Sequence, residues 1–184
     1  MADPLLTPKP DPLSESQTTL PATSGLALKR ALVQWLTVTI EQRLAAIHAA
    51  AADAYDGATG DEARAEDKYD TRALEQSYLC AGQNARVVQL RELLTTLHFL
   101  EVPDTALRRG GPFALVEAMS QGRTTTYFLL PLAIGERVAW QDSYIDVVGI
   151  ATPVGRALVG CMADDVVAVQ IANGRRQLEI ASVC

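Results

Sequence analysis

Residues 24–55 read SGLALKRALVQWLTVTIEQRLAAIHAAAADAY, and the spacing of their apolar side chains decides the fold of the first half of the chain. Leu32, Leu36, Ile40, Leu44, Ile47, Ala51 and Tyr55 recur at intervals of three and four, which lays one apolar stripe along a helix. Ser24 is placed to cap the first turn. The stripe is expected to end at Gly57 and Gly60, which favour a turn. A second stripe follows, made of Tyr69, Ala73, Gln76, Leu79, Gln83, Val87, Leu90, Leu94 and Leu97. Val102-Pro103 is expected to stop it, because a residue before proline avoids the helical region. Two long helices with a tight connection are antiparallel neighbours. Each stripe would face water if its helix stood alone, so the sequence predicts a coiled-coil hairpin over 24–103 with its tip at about 57–67.

Outside this stretch, composition sets the limits. Of 184 residues, 48% are hydrophobic and 21% charged, enough apolar material to build a core. The longest apolar run, Phe128 to Ile134, is far short of the roughly 20 residues of a spanning helix, so no membrane segment is expected. Residues 1–23 hold five prolines among serines and threonines and read as a flexible tail. They show no basic start followed by an apolar core, so a cytoplasmic protein is expected. Cys80, Cys161 and Cys184 are too widely spaced for a metal pair or a disulfide framework.

With 16 basic and 22 acidic residues the net charge is −6, which argues against a free duplex-DNA binder. The excess is concentrated. Between Asp53 and Glu75 lie eight acids, Asp53, Asp56, Asp61, Glu62, Glu66, Asp67, Asp70 and Glu75, against Arg64, Lys68 and Arg72. The net −5 therefore falls at the expected hairpin tip. His48 and His98 lie in the helices with no nucleophile near them in the pattern, so surface or interhelical contacts are expected of them rather than catalysis. Lys29, Arg30 and Arg43 are expected on a solvated face, with RNA or a protein surface as the alternative.

After Arg108-Arg109-Gly110-Gly111-Pro112 the apolar period changes to two. Phe113–Met119, Arg123–Leu132, Val138–Trp140 and Tyr144–Ile150 read as strands, with a turn at Gln121-Gly122. Val154–Val159 reads as one or two helical turns. Val167, Val169 and Ile171 alternate with smaller or polar residues, Asn173-Gly174 is a strong hairpin signal, and Leu178 and Ile180 mark the return strand. The predicted fold class is α+β: an antiparallel helical hairpin, then a small, mostly antiparallel sheet domain over 110–184.

Residues Thr152-Pro153-Val154-Gly155-Arg156-Ala157-Leu158-Val159-Gly160, followed by Asp164-Asp165-Val166-Val167 and the Asn173-Gly174 hairpin, resemble the C-terminal domain of bacterial GreA/GreB transcript cleavage factors. Tyr127-Phe128-Leu129-Leu130-Pro131 looks like a divergent branch of the same family. The hairpin half is similar through Tyr69 and Glu75-Gln76. The resemblance covers 24–184. It implies an FKBP-like C-terminal domain that docks at the rim of the RNA polymerase secondary channel, with Gly155, Arg156 and Leu158 in the docking motif. It further implies a finger reaching into the channel of the polymerase core. There the tip carboxylates, Asp61, Glu62, Glu66 and Asp67, would act on a backtracked transcript, and Asp61 and Glu62 would share Mg²⁺ with the polymerase active centre.

On this resemblance the chain binds no cofactor alone, meets nascent RNA and DNA only through the elongation complex, works as a monomer and is not itself an enzyme. A peptidyl-prolyl isomerase is suggested by the FKBP-like resemblance alone. The tip departs from the family pattern. Counted back from Tyr69, the paired acids fall on Glu62 and Ala65; counted forward from Gly60, they fall on Asp61 and Arg64. Neither register places both carboxylates, so a channel-occupying inhibitor that does not stimulate cleavage stands as the alternative.

Overall fold

The computed structural model describes residues 25–59, 71–105, 107–171 and 174–184, with the side chains of 52–59, 71–83 and 171 left aside. The order is α1 (Leu26–Thr59), α2 (Thr71–His98), β1 (Leu115–Ser120), β2 (Arg123–Leu130), β3 (Gly135–Trp140), β4 (Ser143–Gly149), α3 (Pro153–Leu158), β5 (Val166–Ile171) and β6 (Gly174–Val183). The class is α+β. The described residues divide into two compact units, one within Arg30–Pro103 and the other made of those up to Lys29 together with those of Asp104–Cys184.

The helical unit follows the stripes. Leu32, Leu36, Ile40, Leu90 and Leu97 are buried, and Leu44, Ile47, Val87 and Leu94 are half-buried. Two cross-helix contacts fix the direction. His98 Nε2 lies 3.4 Å from Glu41 Oε1, and Arg91 Nη2 lies 3.3 Å from His48 Nε2. Seven residues forward along α1 match seven residues backward along α2. The helices are therefore antiparallel, and the step is one heptad. Both histidines serve as interhelical contacts.

Two helix limits differ from the sequence reading. α1 runs through Gly57 to Thr59, so that glycine is helical and not part of a turn. A single glycine in a helix costs about 1 kcal/mol, which a helix of 34 residues carries. α2 ends at His98, short of Val102, where the N–H of Leu100 donates to the Leu97 carbonyl at 3.2 Å and tightens the last turn. The expected cap Ser24 and the tip residues 60–70 lie outside the described residues.

The sheet has six strands in the order β3-β4-β2-β1-β6-β5. All neighbours are antiparallel except β2 and β4, which run parallel with Phe128 opposite Val147. That parallel pair departs from an all-antiparallel sheet. It arises because β4, not β3, sits next to β2. β4 carries buried Ile145 and Val147 and suits an interior position, whereas β3 carries Glu136 and Arg137 and suits an edge. β1 and β2 are joined by Gln121 and Gly122 at φ 51° and 73°, the twist a two-residue hairpin requires. One face buries Ala114, Val116, Ala118, Tyr127, Leu129, Val169, Leu178 and Ile180, with Leu158 of α3 in the same cluster.

Candidate functional site

The 152–160 motif builds a short helix seated on the end of β4. Thr152 is its N-cap: Oγ1 accepts from the Gly155 N–H at 3.1 Å and donates to the Gly149 carbonyl at 2.7 Å. Pro153 opens the helix, where a missing N–H costs nothing. Gly155 touches the end of β4. A Cβ there would lie 2.1 Å from the Gly149 oxygen and 2.8 Å from Ile150 Cα, so only glycine lets α3 approach this closely. Leu158 is fully buried in the core beside Cys161. Burial pushes the Cys161 thiol up, against the opposing effect of a hydrogen bond from the Gly110 backbone.

The three residues of the expected docking motif therefore divide in role. Gly155 and Leu158 face inward and hold α3, and Arg156 alone is exposed. Its Nε donates to the Ala151 carbonyl at 2.9 Å, which holds the stem against the loop that enters α3.

At the end of α3 the structure brings in a segment that the pattern marked only as a boundary. The Gly110 N–H donates to the Cys161 carbonyl at 2.8 Å, and the Gly160 N–H donates to the Gly110 carbonyl at 2.7 Å. This rung ties the Arg108-Arg109 segment to the end of α3. Gly110 has no room for a side chain, since a Cβ would meet the Leu158 oxygen at 1.9 Å. Val159 and Met162 stand 49% and 40% exposed beside it, with Arg108 and Arg109 also exposed. Exposed apolar side chains and exposed arginines carried by one bonded pair of segments suit a protein surface bearing carboxylates. The Arg-Arg-Gly-Gly run was visible in the sequence as a boundary, but its position beside α3 was not.

A second polar group lies on the same sheet face as Tyr127. Arg137 grips Asp146 with both arms, Nε to Oδ1 at 2.6 Å and Nη2 to Oδ2 at 2.9 Å, and lies 5.9 Å over the Tyr144 ring. Burial, and then the Asp146 charge, push the Tyr127 phenol up. Bonding to Asp146 raises the Arg137 guanidinium in the same way.

On α1, Lys29 is 5% exposed, unlike the solvated position expected of it, while Arg30 is exposed. Desolvation pulls the Lys29 ammonium down, partly offset by Cys184. Asp61, Glu62, Glu66 and Asp67 lie outside the described residues. Among the described residues, no group of three His, Cys, Asp or Glu side chains is assembled to hold a metal ion, and no helix is long and apolar enough to cross a membrane.

No protein-family profile matches the chain, and no curated protein matches it. Solved structures overlap it weakly. The GreA factor homolog 1 (Gfh1) protein of Thermus thermophilus is 14% identical over 83% of this chain and 92% of its own, with a TM-score of 0.35. A structure described as the transcription factor Gfh1 is 17% identical over 82% and 90%, also at 0.35. The transcription elongation factor GreA/GreB from Nitrosomonas europaea is 21% identical over 62% and 93%, at 0.32. At that degree of overlap the likeness carries no weight for activity.

Proposed function

We propose that the chain is a Gre-type transcription elongation factor that binds the core of RNA polymerase and enters its secondary channel with the 24–103 hairpin. The 152–160 motif carries this reading. It forms a capped helix whose Gly155 and Leu158 are packed inward, leaving Arg156 and Val159 exposed, with Met162 exposed just beyond it. In this reading the 110–184 domain docks at the channel rim through these side chains. α1 alone is about 51 Å long at 1.5 Å per residue, enough for a finger to reach far from its base. Asp61, Glu62, Glu66 and Asp67 would then supply hard oxygen ligands and negative charge at the polymerase's own Mg²⁺. The chain makes and breaks no bond itself. It meets nascent RNA and DNA only inside the elongation complex, in the cytoplasm.

The second reading rests on the tip spacing, which places both family carboxylates in neither register. It makes the chain an occupant of the channel that blocks without stimulating cleavage. Transcript cleavage in backtracked elongation complexes separates the two. Stimulation that is lost when Asp61, Glu62, Glu66 and Asp67 become Ala, with polymerase binding kept, supports the first, because a lost metal ligand acts chiefly on the transition state. Asp70→Ala and Glu75→Ala serve as controls expected to change the rate little. Displacement of a true cleavage factor without stimulation supports the second. Neither stimulation nor displacement refutes both.

A further inference from the structure

The two edges of the sheet are unlike. β3, at one edge, carries Glu136 and Arg137. β5, at the other, reads Val-Val-Ala-Val-Gln-Ile without a charge, a proline or a register shift against β6. Native sheets blunt a free edge with those devices, and an edge without them is a template for another strand. The pairing shows which groups are free. Ile180 exchanges backbone bonds with Asp164 and Asp165, so the even-numbered residues of β6 up to Ile180 turn toward β5. Val167 and Val169, opposite Leu178 and Arg176, therefore turn toward β6, and the N–H and C=O of Val166, Ala168 and Gln170 point outward. Val166 is 61% exposed, Gln170 is exposed and Ala168 is half-buried, and among the described residues of this unit no other strand or backbone group is hydrogen-bonded to that side of β5.

Charge at the two ends of β5 says what fits it. Asp164 and Asp165 precede the strand, and Arg175 and Arg176 begin the strand that returns beside it. We propose that β5 pairs with β5 of a second copy, antiparallel about a two-fold axis at Ala168, and so joins two six-stranded sheets. Val166 then faces Gln170 of the second copy, small Ala168 faces its own equivalent on the axis, and the outward groups of all three residues are bonded. The same symmetry lays each acidic end along the basic end of the other copy, twice over. A parallel strand would set acid beside acid. Six residues a side bury less than the ~1,600 Å² of a standard interface, so the dimer is weak and forms with concentration. This inference is independent of polymerase binding and departs from the monomer expected from the sequence.

Sedimentation equilibrium of the full chain from about 10 µM to 1 mM tests it, the range set by an interface of that class. The wild type is expected to show a monomer–dimer equilibrium. Ala168→Pro removes one outward N–H and no bond to β6, so it is expected to abolish the dimer with the circular dichroism and melting temperature unchanged. Arg175→Glu sets acid against Asp164 and Asp165 of the second copy and is expected to weaken the dimer about tenfold or more, whether or not the proline variant folds. A wild type that stays monomeric to the top of the range overturns the proposal. So does a dimer that Arg175→Glu leaves unchanged, or one that persists in folded Ala168→Pro.

Discussion

Replacing Gly155 with alanine tests whether the motif works by close backbone approach. The added Cβ would lie 2.1 Å from the Gly149 carbonyl oxygen and 2.9 Å from its carbon, both backbone atoms that cannot swing aside. Restoring an ordinary contact requires α3 to move by about 1 Å from the end of β4, an overpacking that costs about 1–3 kcal/mol. The same movement pulls on the Thr152 cap, whose two Oγ1 bonds measure 2.7 and 3.1 Å; losing such a cap adds about 1 kcal/mol. The expected loss is about 2–4 kcal/mol, or about 5–15 °C in melting temperature for a chain of this size. Urea unfolding would be followed by Trp140 fluorescence in a Trp35→Phe background, so that the signal reports the sheet unit. Thr152→Ala is expected to lose about 1 kcal/mol, and Arg156→Ala, being exposed, to stay within about 0.5 kcal/mol. A Gly155→Ala protein as stable as the wild type would refute the close approach and the inward role assigned to Gly155.

Three further outcomes are expected. Leu36→Ala, at a fully buried stripe position, should lose about 2–4 kcal/mol in denaturant unfolding, and a loss under about 0.5 would count against the paired stripes. Lys29→Met should raise stability at neutral pH, since burial penalises the ammonium. The unfolded state binds that proton more tightly, so the wild-type penalty is present below the lowered folded pKa and fades as pH rises toward the ordinary lysine range, where the gain from methionine should vanish; a gain that does not vary with pH would contradict this. Asp146→Asn should cost no more than about 1 kcal/mol, because the Arg137 arm of the pair is solvated. It should also lower the Tyr127 pKa in an ultraviolet titration. A raised phenol stabilises the fold fully below the ordinary tyrosine pKa and loses that contribution as pH climbs through the raised value, so the alkaline fall in stability should start at the same pH in the variant but end at a lower pH and be smaller.

Much of the architecture was legible where burial alone decides it. Leu32, Leu36, Ile40, Leu90 and Leu97 are buried as their spacing requires, and Leu178 and Ile180 alternate into the core. What the pattern left out depends on comparison between distant segments. Parallel pairing of β2 with β4 follows from β4 being more apolar than β3, a choice made only when the strands compete for one place beside β2. Gly57 has the composition of a turn, yet the long helix carries its modest cost. In the 152–160 motif, a local pattern could not show that Gly155 and Leu158 face inward, nor that Gly110 bonds the Arg108-Arg109 segment to Gly160 and Cys161. Lys29 reads as solvated because lysine usually is; its burial comes from the fold around it.

Equilibrium binding to core RNA polymerase tests the central proposal most directly. The fluorescently labelled full chain is titrated with core enzyme, and anisotropy is read beside the Arg156→Ala variant. Saturable binding is expected, with a tenfold or greater loss for Arg156→Ala, the exposed charge of α3 lost from a protein–protein contact. Absence of saturable binding by the wild type would contradict the proposal that this chain acts on RNA polymerase.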